Sequence, residues 1–247
     1  MSGRWRAERL LAVLLAVLSA VLLVVATSCA GSHGRWVSSG RVLPLPAPSG
    51  PVGLADPALI NLQRGDFPAA WISTPPTSPG SATPTPGSAD PETVAIYACL
   101  HLPIAAREQL SDVDSATFQS GQTFEAASNV TVLSSAAVVA QEVAALQTDA
   151  GINCLGQAIG QSVAAGGAGV TNAKINMISA PTIPGGAALG VHYAATFTQG
   201  EQSIDASTDE YFIGLGAAEI TVTFSSFEVP FPATVQQTAL AHLVARL

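Results

Sequence analysis

The stretch that decides the fold runs from Ser134 to Cys154, SSAAVVAQEVAALQTDAGINC. Ser134 and Ser135 are of the residue type that caps helices, because a short side-chain oxygen accepts a bond from the first free backbone N–H groups. Ala136, Val139, Val143 and Leu146 then recur at three- and four-residue steps, drawing an apolar stripe along one helical face. That stripe needs a sheet to cover. Sheet-forming sequence stands on both sides of it, from Val113 to Leu133 before and from Val170 to Phe227 after. Cys154 ends the stretch, and its natural partner is Cys99, the only other cysteine beyond the N-terminal segment.

Upstream of the stretch, Val113–Gln119 and Thr123–Leu133 bracket Ser120 and Gly121 as a hairpin. Asp90 and Pro91 open a helix carrying Val94, Tyr97 and Cys99, with Glu92 in its first turn where a carboxylate suits the helix dipole. The segment before it, TPPTSPGSATPTPGSADP, is too rich in proline for helix or central strand and reads as a loop over 74–91. Asp56 and Pro57 begin a short helix, and Asp66, Phe67, Pro68 and Trp71 form an aromatic turn that packs on the domain.

Downstream, a second helical piece carries Cys154, Leu155, Ile159 and Val163. Ala173, Ile175 and Met177 alternate with Lys174 and Asn176, predicting one buried and one wet face. Val191, Tyr193, Ala195 and Phe197 alternate with His192, Thr196 and Thr198, and a turn at Gln199-Gly200 leads into a strand from Gln202 to Ile213. The apolar parity of that strand shifts between Ile204 and Tyr211, which predicts a bulge. Gly214–Gly216 turn into a strand with Ile220, Val222 and Phe224 inward, and a last helix aligns Leu240, Leu243 and Leu247. The expected fold is α+β: an antiparallel sheet of about six strands, helices packed on one side, and one disulfide.

The N-terminus carries an address. Arg4, Arg6 and Arg9 precede an apolar run from Leu10 to Val25, followed by Ala26, Thr27, Ser28 and Cys29, the order of a secretory signal. A cysteine directly after small residues resembles a bacterial lipobox, in which Cys29 becomes the lipidated first residue and carries palmitate-type acyl chains. The departure is Ala26, where a lipobox usually has leucine. Three readings stand: a lipoprotein signal peptide over 1–28, an uncleaved membrane anchor, and ordinary secretion. All three put the domain outside the cytoplasmic membrane. The expected organisation is signal 1–28, a Ser/Gly/Pro/Arg tether 29–55, and a single domain 56–247.

Composition bounds the partners. With 48% apolar and 11% charged residues, the chain can bury a core, which excludes disorder throughout. Lys174 is the only lysine, and removal of residues 1–28 leaves six basic against 16 acidic side chains, a balance of −10. Such a surface repels phosphate backbones, so nucleic acid is not an expected partner. If Cys29 takes a lipid, an even cysteine pair remains, and disulfides persist in oxidising compartments. A Cys99–Cys154 bond closes a loop of about 55 residues and contributes roughly 4 kcal/mol by the loop-closure argument.

Four segments carry a family resemblance: DFPAAW at 66–71, SNVTVLSSAAVVAQEVAAL at 128–146 leading to Cys154-Leu155, STDEYFIGLGAAEITVTF at 207–224, and VQQTALAHLVARL at 235–247. Together the chain resembles actinobacterial, mycobacterial-type lipoproteins and extracytoplasmic sensor-like domains related to the PsbP-like (LpqN-like) fold. The resemblance implies a compact sheet with a concave face, and binding in cell-envelope lipid biology rather than catalysis. It carries over no catalytic residue.

Motifs for chemistry are absent: there is no GxSxG elbow, HExxH pair or phosphate-loop lysine. His33 lies in the tether, and His101, His192 and His242 read as surface or boundary histidines without a serine or carboxylate partner in sequence. Asp112 and Asp114 imitate the start of a calcium loop but lack its glycine and downstream ligands, so they read as solvated turn carboxylates. Asp205, Asp209 and Glu210 flank the expected bulge. Gly214, Gly216 and Glu219 imitate part of a dinucleotide fingerprint, yet they join two strands. No catalytic residue, metal or cofactor is therefore expected. The expected function is that of a cell-envelope lipoprotein, non-enzymatic, anchored to the membrane through Cys29. It is expected to bind a small apolar or lipid-like ligand between sheet and helices through Phe118, Phe124, Tyr193, Phe197, Tyr211 and Phe224. The alternatives are a protein-interaction or sensor module meeting an envelope protein, and an enzyme of unrecognised type.

Overall fold

The computed structural model describes residues 56–76, 91–165, 169–199 and 202–247. The expected signal segment, Cys29, the tether and nearly all of the 74–91 loop lie outside these residues. In chain order the elements are α1 (Pro57–Ile60), β1 (Ile72–Thr74), α2 (Pro91–Cys99), β2 (Gln109–Asp114), β3 (Thr117–Ser120), β4 (Phe124–Leu133) and α3 (Ala136–Leu146). They continue with α4 (Asp149–Ala165), β5 (Gly169–Ile178), β6 (Ala187–Gln199), β7 (Gln202–Leu215), β8 (Ala218–Phe227) and α5 (Ala233–Ala245). Asp56 caps α1 by accepting the Ala58 N–H at 3.0 Å, with Pro57 at the first helical position.

The strands form one sheet in the order β1-β3-β4-β8-β7-β6-β5, with β2 paired to β4 beside β3. All pairings among the described residues are antiparallel. The fold is thus α+β around a large antiparallel sheet. It has eight strands among the described residues rather than about six. The difference arises where sequence periodicity is weakest: Ile72–Thr74 is only three residues long, and the strand expected to start at Val113 is two strands broken between Asp114 and Thr117.

Helices cover both faces of the sheet, not one. A Cβ on Gly214 would come within 2.9 Å of Val139 and 3.0 Å of Val143, so α3 lies on the face that carries Gly214, Phe212 and Glu210. Gln236 of α5 meets Asp209 and Tyr211, which point to the other face. On the α5 side, Phe118, Val130, Ile220, Val222 and Phe224 pack with Leu240, Leu243, Ile60, Leu62, Phe67 and Trp71. On the α3–α4 side, Leu189 and Val191 pack with Leu146, Ile152 and Leu155. Farther along, Tyr193, Ala195 and Phe197 pack with Val163.

This two-sided cover explains the shifted parity of β7. No bulge exists there: β6 and β7 pair without interruption from Ala187↔Gly214 to Gln199↔Gln202. Ile204 packs under α4 and Tyr211 and Ile213 pack under α5, so the covered face changes along an unbroken strand. The irregularities lie elsewhere, between Thr171 and Lys174 in β5, where Asn172 has φ 56°, and between Gln109 and Ser111 in β2. Strand β5 is a sheet edge, which corrects its expected buried face: Ile175 is half-buried against Gly156 of α4, whereas Ala173 and Met177 are exposed.

The deciding stretch is two helices. In α3, Val139, Val143 and Leu146 are buried as the stripe requires, while Ala136 is exposed. Ser135 occupies the cap position without a capping side-chain bond. At the start of α4, the Thr148 hydroxyl accepts the Gly151 N–H at 3.0 Å. The aromatic turn packs as expected, with Phe67 stacked on Phe118 at 4.5 Å between ring centroids. Asp66, buried beside it, receives both terminal nitrogens of Arg246 at 2.9 and 2.8 Å.

Candidate functional site

Three places bring chemistry-bearing side chains together. The first is at the end of α2. Cys99 and Cys154 are joined, with Cα atoms 5.7 Å apart, inside the range a disulfide accepts without backbone movement. The bond fastens α2 to α4. The chain then passes through a short turn at Ile104–Ala106 to Arg107. Arg107 Nε donates to Glu142 Oε1 at 3.1 Å and Nη2 donates to Glu219 Oε2 at 2.7 Å, tying this connection to α3 and to the start of β8. Burial, with Glu219 adding a hydrogen bond and like charge, pushes the Glu142 carboxyl well above the usual range. One guanidinium thus holds two carboxylates, one from α3 and one from β8. Beside it is a cavity of about 10 Å³ whose walls include Tyr97, Gln141 and Glu142.

The second place is on the α5 face of the sheet. His192 on β6 stands opposite Asp209 on β7, and their Nδ1 and Oδ1 atoms lie 2.5 Å apart. Gln236 Nε2 donates to Asp209 Oδ2 at 2.8 Å and to the Tyr211 hydroxyl at 2.9 Å. A carboxylate that orients an imidazole is one element of acid–base sites. The Ser207 hydroxyl, on the same face, is bonded to the buried Ser226 hydroxyl at 2.9 Å. The same bonds tie the first turns of α5 to the sheet.

The third place is the polar part of the α3–α4 face. Asn129 Nδ2 donates to Asp112 and Asp114 at 2.8 and 2.9 Å, and the Thr131 hydroxyl donates to Asp112 at 3.0 Å. These carboxylates are on strand β2, not in a solvated turn. Burial raises Asp114 and Glu125 above the usual carboxylate range, and on β7 burial with the Glu92 charge pushes Glu210 up to about 8. Among the described residues no group of three or more His, Cys, Asp or Glu is placed to hold a metal ion.

The six aromatic residues expected to line one ligand chamber do not converge. Phe118, Phe124, Tyr211 and Phe224 belong to the core beneath α5. Tyr193 and Phe197 lie in the core beneath α4, on the opposite face. His101 is exposed just after α2, and His242 lies 3.3 Å from Asp66. Gly214, Gly216 and Glu219 join β7 to β8, two strands, as the sequence indicates.

Sequence reasoning missed the His192–Asp209 pair and the Arg107 cluster. The first was within reach, because pairing Gln199 with Gln202 sets His192 against Asp209 by counting back along both strands. The second had no local signal: Arg107 and Glu219 are 112 residues apart.

No protein-family profile matches the chain, and no curated protein matches it significantly. Among solved structures, the chain is similar to an uncharacterised protein from Mycobacterium smegmatis, described as the Rv0999 ortholog. The identity is 12% and the TM-score 0.36, covering 78% of this chain and 83% of that one. A likeness at that level supports no inference about function. Among the described residues no helix is long and apolar enough to cross a membrane.

Proposed function

We propose that the chain is a cell-envelope lipoprotein. Its α+β domain works outside the cytoplasmic membrane as a non-enzymatic recognition module, of the kind the PsbP-like resemblance implies. The observation that carries this reading is the Cys99–Cys154 disulfide in a chain that begins with a basic, apolar, small-residue and cysteine series. A disulfide needs an oxidising compartment, and the N-terminal series supplies a route to one. A lipid on Cys29 then holds the domain at the membrane surface through the tether. Recognition of an envelope protein partner is favoured over a lipid cavity between sheet and helices, because the strand aromatics are consumed by two separate cores.

The test is metabolic labelling with a palmitate analogue in an actinobacterial host that exports the full-length chain, beside its Cys29→Ala variant. Label on the parent and none on the variant, with the variant shed from the membrane, supports the reading. Equal labelling of both, or an unlabelled parent that stays at the membrane, sinks the lipid anchor and leaves an uncleaved segment in its place. Native mass spectrometry of the released domain addresses the ligand: a reproducible mass lost on solvent extraction overturns the choice of a protein partner over a lipid.

A further inference from the structure

Among the described residues, the half-open cavity between α2, the turn at Ile104–Ala106 and α3 brings a water-sized space and unsatisfied polarity together. Tyr97 and Glu142 form part of its wall, and their side chains are buried, with 4% and 6% of their surface exposed. The Tyr97 hydroxyl and Glu142 Oε2 both lack a hydrogen-bond partner among the described residues. A buried hydroxyl or carboxyl oxygen left unpaired costs free energy, so two in the wall of one cavity call for a common partner. The rest of the wall is mostly apolar, including Leu102, Pro103 and Val138. At about 10 Å³ the space is close to the smallest that holds a water molecule and too small for a metabolite.

We propose that this cavity is a built site for a single structural water, which bridges the Tyr97 hydroxyl to Glu142 Oε2. The bridge fastens α2 to α3, as the disulfide fastens α2 to α4 and the Arg107–Glu142 bond fastens the following connection to α3. The segment from Tyr97 to Arg107 is then held at three points by three different interactions. Glu142 takes part in two of them, with Oε1 on Arg107 and Oε2 on the water.

A double-mutant cycle in the full-length protein, purified in detergent, tests the bridge. Tyr97→Phe and Glu142→Gln are each close to isosteric and keep the packing of the wall. Two side chains joined through a water should be non-additive, so the unfolding constant of the double variant should differ from the product of the single effects by roughly 3-fold or more. Agreement within about 2-fold overturns the bridge. A second readout is specific for water: radiolytic footprinting in ¹⁸O-labelled water should place label on Tyr97 despite its burial, and less in the Glu142→Gln variant. Unlabelled Tyr97 beside normally labelled exposed residues overturns the site even if both variants fold poorly.

Discussion

Removing the disulfide should cost the domain much of its stability. The perturbation is the double substitution Cys99→Ala with Cys154→Ala, which leaves no free thiol in the domain. The bridged residues are 55 apart in sequence, and opening a loop of that size releases about 4 kcal/mol of denatured-state entropy. The substitution removes only one sulfur atom at each site, from a half-buried Cys99 and a buried Cys154. For a domain of this size, with a urea dependence of about 2–3 kcal/mol per molar, the unfolding midpoint should fall by roughly 1.5–2 M. Urea unfolding followed by tryptophan fluorescence reads this directly, because Trp71 is buried in the α5-side core. The parent protein treated with reductant should fall to the midpoint of the double variant. A double variant that unfolds within about 0.3 M of the oxidised parent would refute the reasoning, and free thiols at both positions in exported protein would remove its premise.

Other outcomes follow from particular contacts. Arg246→Met should destabilise by roughly 3 kcal/mol, since it strands the buried Asp66 carboxylate; the figure is at the low end for a broken buried pair because His242 stays beside it. Denaturant midpoints measure it, and a loss below about 1 kcal/mol would count against the pairing. Gly214→Ala should cost about 1–3 kcal/mol, because its Cβ would meet Val139 at 2.9 Å and Val143 at 3.0 Å in the α3 contact. A neutral Gly214→Ala would mean that α3 does not lie on this face. Glu210, with its carboxyl raised from 4.5 to about 8, binds more protons folded than unfolded between those values. Stability should therefore fall as pH rises through that window, by up to about 1.4 kcal/mol per unit from this group. Glu210→Gln should flatten that slope and raise stability at pH 8; an unchanged slope would show that Glu210 is not desolvated.

What was legible in the sequence is what repeats at short range. The stripe Val139, Val143, Leu146 and the alternation of Val191, Tyr193, Ala195 and Phe197 are local periodicities, and both elements formed where they predict. The cysteine pairing was legible by parity, not by geometry. What sequence reading could not supply was which face a strand buries and where along it the cover changes. Ile204 and Tyr211 obey one unbroken register, yet they face different helices, so a change of partner looked like a change of backbone. The same limit explains the aromatic residues. Strand aromatics signal burial, but alternation alone does not say that Phe224 and Phe197 are buried on opposite sides of the sheet. The Arg107 cluster depends on chain crossings that no local pattern encodes.

The contact between Arg246 and the turn after α1 has a mechanical side. Arg246 holds Asp66 and also donates from Nη2 to the Asn61 carbonyl at 2.9 Å, so the last turn of the chain grips its first described segment. Asn61 Nδ2 donates to the Val113 carbonyl at 2.7 Å, and the Leu62 N–H donates to the Ser128 hydroxyl at 2.8 Å. A pull from the N-terminal side would enter at α1 and reach these bonds before it reached the sheet. The load would be divided among the C-terminal helix, β2 and β4, so the first segment would resist peeling as a clamp does and not as a zipper. Drag on the domain would be borne there first, spread over three elements at once instead of being concentrated on one strand pair.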